Sequence, residues 1–206
     1  MDLKNLIEAH LNLARLSAGL DDLGHFGRLW SVRQWTGRHM ALLWEALQNF
    51  RPTTLDDFVP PSVGPLVEVI HYGKNSLPVA TRFEKRFCRP RYTAGDEVLV
   101  GFNAQPFSAL TGPGYFVAHP AMGAGAAAEV AIDYTIRATE RASSWPPIQP
   151  SSRYLGRFVY GGAIDVVRGL SRHVTIGRVR MNSGWKDTWF VLVRQDVVNV
   201  QPRREP

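Results

Sequence analysis

Apolar residues in the first sixty positions recur at intervals of three and four, which is the spacing of one helix face. This spacing predicts helices over residues 3–19, 21–36 and 40–50, with Gly or Pro near their ends. Thr54 is followed three positions later by Asp57, a pairing typical of one short capped turn. The first sixty residues are therefore expected to form a helical segment.

From about residue 66 the period changes to two, which indicates strands with one buried face. Seven runs fit this description: 66–72, 81–88, 97–102, 115–119, 129–136, 173–180 and 188–194. Turn-forming residues separate most of them, and spacers long enough for a helix are largely missing. The pattern favours a curled or barrel-like, mainly antiparallel sheet of six to eight strands over a doubly wound parallel sheet.

One segment interrupts the strand region with a helical stripe. Four of its apolar residues follow the spacing of a helix face, so we predict a short helix over residues 162–171 at one end of the sheet. The expected fold class is α+β, with N-terminal amphipathic helices, an antiparallel sheet and this inserted helix. Residues 1–60 would pack on an antiparallel β domain of residues 61–206, as one structural unit.

Composition and charge describe an ordinary folded chain. The 206 residues are 45% hydrophobic and 20% charged, which excludes a disordered protein and supplies a core without a metal or disulfide. The net charge of +6 is uneven, because residues 1–60 hold six bases and seven acids while residues 61–206 hold eighteen and eleven. Twenty of the 24 bases are Arg, which favours anionic partners for the sheet region.

Several features limit the function classes. The chain has no secretory signal pattern, no apolar stretch of membrane-spanning length and a single cysteine, so we expect a cytoplasmic protein with Cys88 buried. The run from Gly123 to Ala128 matches a dinucleotide-binding pattern, but strand-like residues follow where that motif needs a helix. No Walker-type, paired-Cys, His-Glu-x-x-His or Gly-x-Ser-x-Gly motif occurs, so neither a cofactor nor a metal site is predicted.

A candidate ligand site follows from a glycine pair and the strand after it. Free N–H groups at the start of the predicted helix would attract a carboxylate or phosphate, and two charged residues three apart on it could pair. On the next strand, the side chains of His173 and Thr175 share a face. They would lie near Tyr160 if that strand lined a polar barrel interior. The candidate ligand-binding residues are Tyr160, Gly161, Gly162, Asp165, Arg168, His173 and Thr175.

These residues predict binding of a small anionic or carboxylate-bearing molecule in a pocket at the sheet end, with enzymatic turnover left open. The structural alternative is a pair of capping glycines and an ordinary hydrogen-bonded histidine, which is the commoner arrangement.

Two other function classes compete with this hypothesis. One is nucleic-acid or acidic-partner binding through a basic face formed by Arg82, Arg86, Arg89 and Arg91. Phe83, Lys85 and Phe87 alternate with that face and are expected to share the side that points into the core. The other class is a homodimeric interaction module in which the amphipathic N-terminal helices cover a second copy of the chain.

Overall fold

The computed structural model describes residues 3–8, 11–79, 81–92, 95, 97–104, 114–121, 128–148 and 162–197. Its helices are α1 (Asn5–Glu8), α2 (Leu13–Asp21), α3 (His25–Arg33) and α4 (Gly37–Ala46), followed by a 3-10 turn at Leu55–Asp57. Its strands are β1 (Val69–Asn75), β2 (Arg82–Cys88), β3 (Leu99–Ala104), β4 (Gly114–Pro120), β5 (Val130–Asp133), β6 (Ile164–Gly169), β7 (Val174–Met181) and β8 (Gly184–Arg194). None of the described helices is both long and apolar enough to cross a membrane.

The eight strands form a closed barrel. Each strand pairs with the next along the chain, and β8 pairs back to β1, always antiparallel. The α+β class and the barrel-like antiparallel sheet are therefore confirmed, and each of the seven predicted strands is present. Closure leaves no free edge among the described strands.

Alternate residues of each strand fill the barrel interior, as the period of two requires. The apolar interior residues include Val69, Phe87, Leu99, Phe116, Ile132, Val167, Phe190 and Leu192. Leu55 and Phe58, in and beside the 3-10 turn, belong to the same cluster and cover one end of the barrel. We call this end the base, and the opposite end, where β6 begins, the mouth.

The helices pack on the outside of the barrel. Leu16 of α2 and Trp44 of α4 are buried in one cluster with the outward-facing Ile176 and Val191 of β7 and β8. Leu3 is buried in that cluster as well, whereas Phe26 and Trp30 of α3 are 83% and 68% exposed.

The first predicted helix is divided in two. The periodicity of residues 3–19 suggests one helix, but α1 ends at Glu8 and α2 begins after Asn12. The Asn12 side chain accepts a hydrogen bond from the Arg15 backbone N–H at 2.9 Å, which caps a new helix start. The predicted turn after Thr54 is confirmed, since Asp57 accepts from the Thr54 backbone N–H at 2.9 Å.

The predicted helix over residues 162–171 is wrong: the segment forms strand β6. Val166 faces the helices and Val167 faces the barrel interior, so both faces of the strand are buried. A strand covered on both sides shows no alternation of apolar and polar residues, and its apolar positions fell by coincidence on a helical spacing. The helix N-terminus expected at the glycine pair is therefore absent from the described residues.

Candidate functional site

The structure places the predicted ligand-binding residues at different parts of the barrel. Gly162 and Asp165 lie towards the mouth, whereas His173 and Thr175 lie at the base beyond the turn that joins β6 to β7. Asp165 and Gly169, which pairs with Thr175, are four residues apart on β6, or roughly 13 Å at the usual strand rise. Tyr160 and Gly161 lie outside the described residues.

Arg168 lies on the outer face of the barrel. It and Asp165 are three apart on a strand, so their side chains point to opposite faces and the pairing expected on a helix does not occur. The Arg168 guanidinium donates to Glu129 Oε1 and to the Trp44 carbonyl oxygen, each at 2.6 Å, and lies 3.9 Å from the Trp44 ring centroid. These contacts attach β6 to α4.

The barrel interior contains a continuous row of polar residues. Arg194 of β8 lies opposite His71 of β1, which lies opposite Lys85 of β2, which lies opposite Asn103 of β3. His173 extends the row, because its carbonyl accepts from the Arg194 backbone N–H at 2.8 Å. Because barrel strands are tilted, such a row climbs along the barrel axis, here from the base towards the mouth.

The base end of this row belongs to a group that we call the basal cluster. It consists of His25, Arg28, His71, His173, Thr175, Arg194 and Asp196. Arg28 donates to Asp196 Oδ1, and Arg194 Nη1 donates to the Asp56 and Asp57 carbonyl oxygens at 3.2 and 2.9 Å. His71 Nε2 lies 2.9 Å from the Phe58 carbonyl oxygen and must donate its proton there.

Burial and positive neighbours keep the histidines of the basal cluster neutral. The pKa of His71 is lowered to about 3, chiefly by burial and to a lesser extent by Arg194 and His173, while the hydrogen bond to Phe58 opposes the shift. Burial also lowers the pKa of His173 to about 4, assisted by Arg28 and Arg194. The pKa of His25 is lowered as well, chiefly by burial. Two guanidinium groups therefore face Asp196 among neutral imidazoles, and Asp57, which pairs with Arg51 at 2.6 Å, acts on Arg194 as well.

Six buried polar atoms of the basal cluster have no hydrogen-bond partner among the described residues. They are His25 Nδ1, Arg28 Nε, His71 Nδ1, His173 Nδ1, Thr175 Oγ1 and Arg194 Nε. His173 Nδ1 lies 3.5 Å from Asp196 Oδ1 without hydrogen-bond geometry. A buried polar atom without a partner costs about 1–3 kcal/mol, so this concentration makes the basal cluster the candidate site.

The unpartnered atoms include both donors and acceptors. Each arginine Nε carries a proton, and the Thr175 hydroxyl can also donate. His71 Nδ1 carries a lone pair, because Nε2 of that ring holds the proton. No group of three or more His, Cys, Asp or Glu side chains in the described part of the chain is arranged to hold a metal ion.

The mouth end of the row belongs to a second group, the lysine cluster, formed by Lys85, Asn103, Tyr134 and Asp165. Lys85 Nζ donates to Asp165 Oδ2 at 2.9 Å, to Asn103 Oδ1 at 3.0 Å and to the Tyr134 hydroxyl. Asp165 also accepts from the Tyr134 hydroxyl at 3.2 Å. The amine thus has all three of its hydrogen-bonding directions filled by protein groups.

Aromatic rings surround the Lys85 amine. Its Nζ lies 5.0–5.5 Å from four ring centroids, those of Phe83, Phe116, Tyr134 and Phe190. The Lys85 side chain is 2% exposed. Burial lowers the pKa of Lys85, and the Asp165 carboxylate opposes that shift. A buried amine next to a carboxylate and a hydroxyl is an arrangement capable of proton transfer.

Sequence reasoning missed Lys85 and Arg194 as site residues, although a signal for Lys85 was available. The prediction that Phe83, Lys85 and Phe87 share an inward face is confirmed, and it already requires a buried lysine. A buried lysine needs a partner, but nothing in the sequence indicates that Asp165 provides it.

The predicted basic face is largely neutralised within the chain. Arg86 pairs with Glu84 at 2.7 Å and Glu68 at 3.2 Å, and Arg89 pairs with Asp56 and Glu97. Arg82 and Arg91 are the exposed members of the set. Nearby, an external groove of about 500 Å³ runs between α3 and strands β1–β3, and no residue of the basal cluster lines it.

Cys88 is buried, as expected, and burial raises the pKa of its thiol to about 12. The run from Gly123 to Ala128 lies mostly outside the described residues, and strand β5 begins two residues after it.

Searches against protein-family models, curated proteins and solved structures found no match to this chain.

Proposed function

We propose that the protein binds a small anionic molecule in the basal cluster. The observation that carries this proposal is the set of six buried polar atoms that lack partners among the described residues. Two of the predicted ligand residues, His173 and Thr175, belong to this set, and Arg28, His71 and Arg194 replace Arg168 and Asp165 in the binding role.

Charge supports an anion over a neutral or cationic ligand. Arg28 and Arg194 supply two guanidinium groups, Asp196 pairs with Arg28, and Asp57, which also acts on Arg194, pairs with Arg51. An anionic oxygen would accept from the two Nε–H groups and from the Thr175 hydroxyl. Arginine is well suited to this role because its fixed donors match carboxylate and phosphate oxygens.

The lone pair on His71 Nδ1 further restricts the chemical class of the proposed ligand. It can be satisfied by a hydroxyl that donates to it, as in hydrogen phosphate, a phosphate monoester or a hydroxycarboxylate. We therefore propose an anion that also carries a hydroxyl or a protonated oxygen. Sulfate resembles phosphate in size but has no proton at neutral pH, so it serves as the matched comparison.

Thermal unfolding at constant ionic strength tests the proposal. Inorganic phosphate and glycolate are expected to raise the Tm of the wild-type protein, and sulfate is expected to raise it less. At a ligand concentration about a hundred times Kd, the shift should be roughly 5–10 °C for a chain of this size. If none of these anions shifts the Tm beyond chloride at equal ionic strength, the proposal fails.

One variant and one control variant locate the effect. Arg194→Gln removes one of the two arginine donors of the cluster and is expected to abolish the shift. Arg178→Gln removes a guanidinium on the outer face, where Arg178 pairs with Asp187 at 3.3 Å, and should keep it. Equal shifts in both variants would place anion binding elsewhere on the protein.

A further inference from the structure

The lysine cluster is a second polar site, and it is independent of the anion proposed for the basal cluster. The chain contains four lysines, at positions 4, 74, 85 and 186. Lys85 is the one of these that is fully buried, and its amine lies next to both a carboxylate and a phenol. We propose that Lys85 is an amine nucleophile that forms an imine with a small aldehyde or ketone inside the barrel.

The neighbours of Lys85 provide the proton transfers that imine formation needs. Asp165 Oδ2 lies 2.9 Å from Nζ and can take a proton from it. The Tyr134 hydroxyl contacts both Nζ and Asp165 Oδ2, so it can pass a proton between the carboxyl group and an oxygen bound near Nζ. Asn103 orients the amine through a 3.0 Å hydrogen bond.

The reaction is a condensation that releases water. After Asp165 takes a proton from the ammonium, the Nζ lone pair attacks the carbonyl carbon and forms a C–N bond. The carbonyl oxygen takes a proton from Tyr134, which regains one from Asp165. Asp165 then takes the second proton from Nζ and passes it through Tyr134 to the hydroxyl. The C–O bond breaks as the nitrogen lone pair forms the C=N bond, and the products are water and a protonated imine beside the Asp165 carboxylate.

The aromatic surroundings favour this chemistry in two ways. Desolvation lowers the pKa of Lys85, which increases the fraction of neutral, nucleophilic amine. The four rings also limit water at the site, which slows hydrolysis of an imine once it has formed. The same rings restrict the ligand to a compact carbonyl compound whose carbon body contacts aromatic faces.

Lys74 provides an internal comparison. Its pKa is also lowered, chiefly by burial and further by Arg82, but its Nζ donates to the Arg33 and Trp35 carbonyl oxygens at 2.7 and 2.6 Å. It has no adjacent carboxylate or phenol among those contacts. A lowered pKa alone would activate both lysines, whereas the proposed proton transfers would activate Lys85 alone.

Reductive trapping on the full chain tests the proposal. The protein is incubated near neutral pH with acetaldehyde or acetone and sodium cyanoborohydride, and adducts are located by peptide mapping. Lys85 is expected to gain an alkyl group at least about tenfold faster than Lys4, Lys74 or Lys186. Because mapping assigns each site in the wild-type protein, the result does not depend on a variant that folds, and it separates lysines from the N-terminal amine.

Variants then assign the role of the neighbours. Tyr134→Phe should slow trapping at Lys85 about tenfold while leaving trapping at Lys186 unchanged. Lys85→Arg should remove the fast adduct, and Lys186→Arg should keep it. The proposal is overturned if Lys85 carries no adduct, or if it reacts no faster than the other three lysines. Phosphate-induced stabilisation tests the basal cluster separately, so either proposal can fail without the other.

Discussion

Lys85 and Asp165 lie on β2 and β6, strands that do not pair, and their side chains meet inside the barrel with 2.9 Å between Nζ and Oδ2. The side chains are 2% and 8% exposed. The pair therefore connects two distant parts of the barrel wall through its interior. Removing one partner of such a pair lowers the stability of the folded protein far more than replacing both partners.

The first prediction follows from this asymmetry. Asp165→Asn leaves a buried ammonium without its counter-charge and is expected to lower the free energy of unfolding by about 3–5 kcal/mol. The double variant Lys85→Met with Asp165→Leu removes both charges and should lie much closer to the wild type. Urea unfolding of the single and double variants measures both effects.

A surface pair provides the control for this comparison. Arg178 and Asp187 are 3.3 Å apart, and the Asp187 side chain is 88% exposed. Asp187→Asn should cost less than about 1 kcal/mol. The account of the lysine cluster is contradicted if Asp165→Asn costs no more than Asp187→Asn.

A second prediction concerns Thr175, whose hydroxyl is buried without a partner among the described residues. Thr175→Val removes that hydroxyl and keeps the shape of the side chain. The ligand-free variant is expected to unfold with a free energy equal to or above that of the wild type, because an unsatisfied polar atom has been removed. Its response to phosphate should nevertheless be weaker.

Thr175→Val is expected to keep or raise the unfolding free energy without phosphate and to weaken the stabilisation by phosphate. A general loss of stability would not produce both results. Calorimetry of the wild-type protein and of Thr175→Val, with and without phosphate, measures both. A variant that is strongly destabilised without phosphate would show that the Thr175 hydroxyl has a structural partner instead.

The third prediction is a pH dependence of stability that arises from His71. Burial lowers the pKa of His71 from 6.5 to about 3 in the folded protein. Between these values the unfolded chain binds a proton that the folded chain does not, so stability falls as the pH decreases below 6.5. One such group contributes about 1.4 kcal/mol per pH unit in that range.

His71→Gln isolates this contribution. The glutamine amide can donate to the Phe58 carbonyl in place of Nε2, but it does not titrate. His173, Arg194 and Phe58 remain around the position in both proteins, so their effects cancel in the comparison. Unfolding free energies measured at about pH 7 and about pH 5 should fall less in the variant. Equal losses in both proteins would show that His71 is not buried neutral.

The fourth prediction tests the packing of the barrel interior at Gly101. A Cβ added to Gly101 would overlap the Arg86 carbonyl oxygen and the Phe116 ring. The carbonyl belongs to the paired strand and cannot move without disturbing the barrel. Gly101→Ala is therefore expected to cost about 1–3 kcal/mol or more. Gly64→Ala is the control, because the nearest atom to its added Cβ would be 4.0 Å away.

The strands that have one polar face could be predicted from the sequence, together with the face that points inward. On β2, Arg82 and Glu84 alternate with Phe83 and Lys85, so the inward face was predictable from period alone. Strand β6 was not predictable in this way, because α4 covers one face and the barrel interior lies against the other. A buried environment on both sides removes the pattern that distinguishes a strand from a helix.

The candidate sites depend on register, which a single sequence does not determine. His173, Arg194 and His71 come together because β7, β8 and β1 pair with one particular offset and the barrel closes. A shift by one residue would place each side chain on the opposite face. His173 could therefore be predicted from the pattern of its own strand, whereas the residues around it are known only from the closed barrel.

A crystal structure of the protein grown with inorganic phosphate tests the central claim most directly. The account predicts a tetrahedral anion within hydrogen-bond distance of Arg194 Nε, Thr175 Oγ1 and at least one ring nitrogen of the basal cluster. Ordered water on those atoms, with no anion at saturating phosphate, would contradict it. Phosphate seen only on exposed arginines such as Arg82 or Arg91 would contradict it as well.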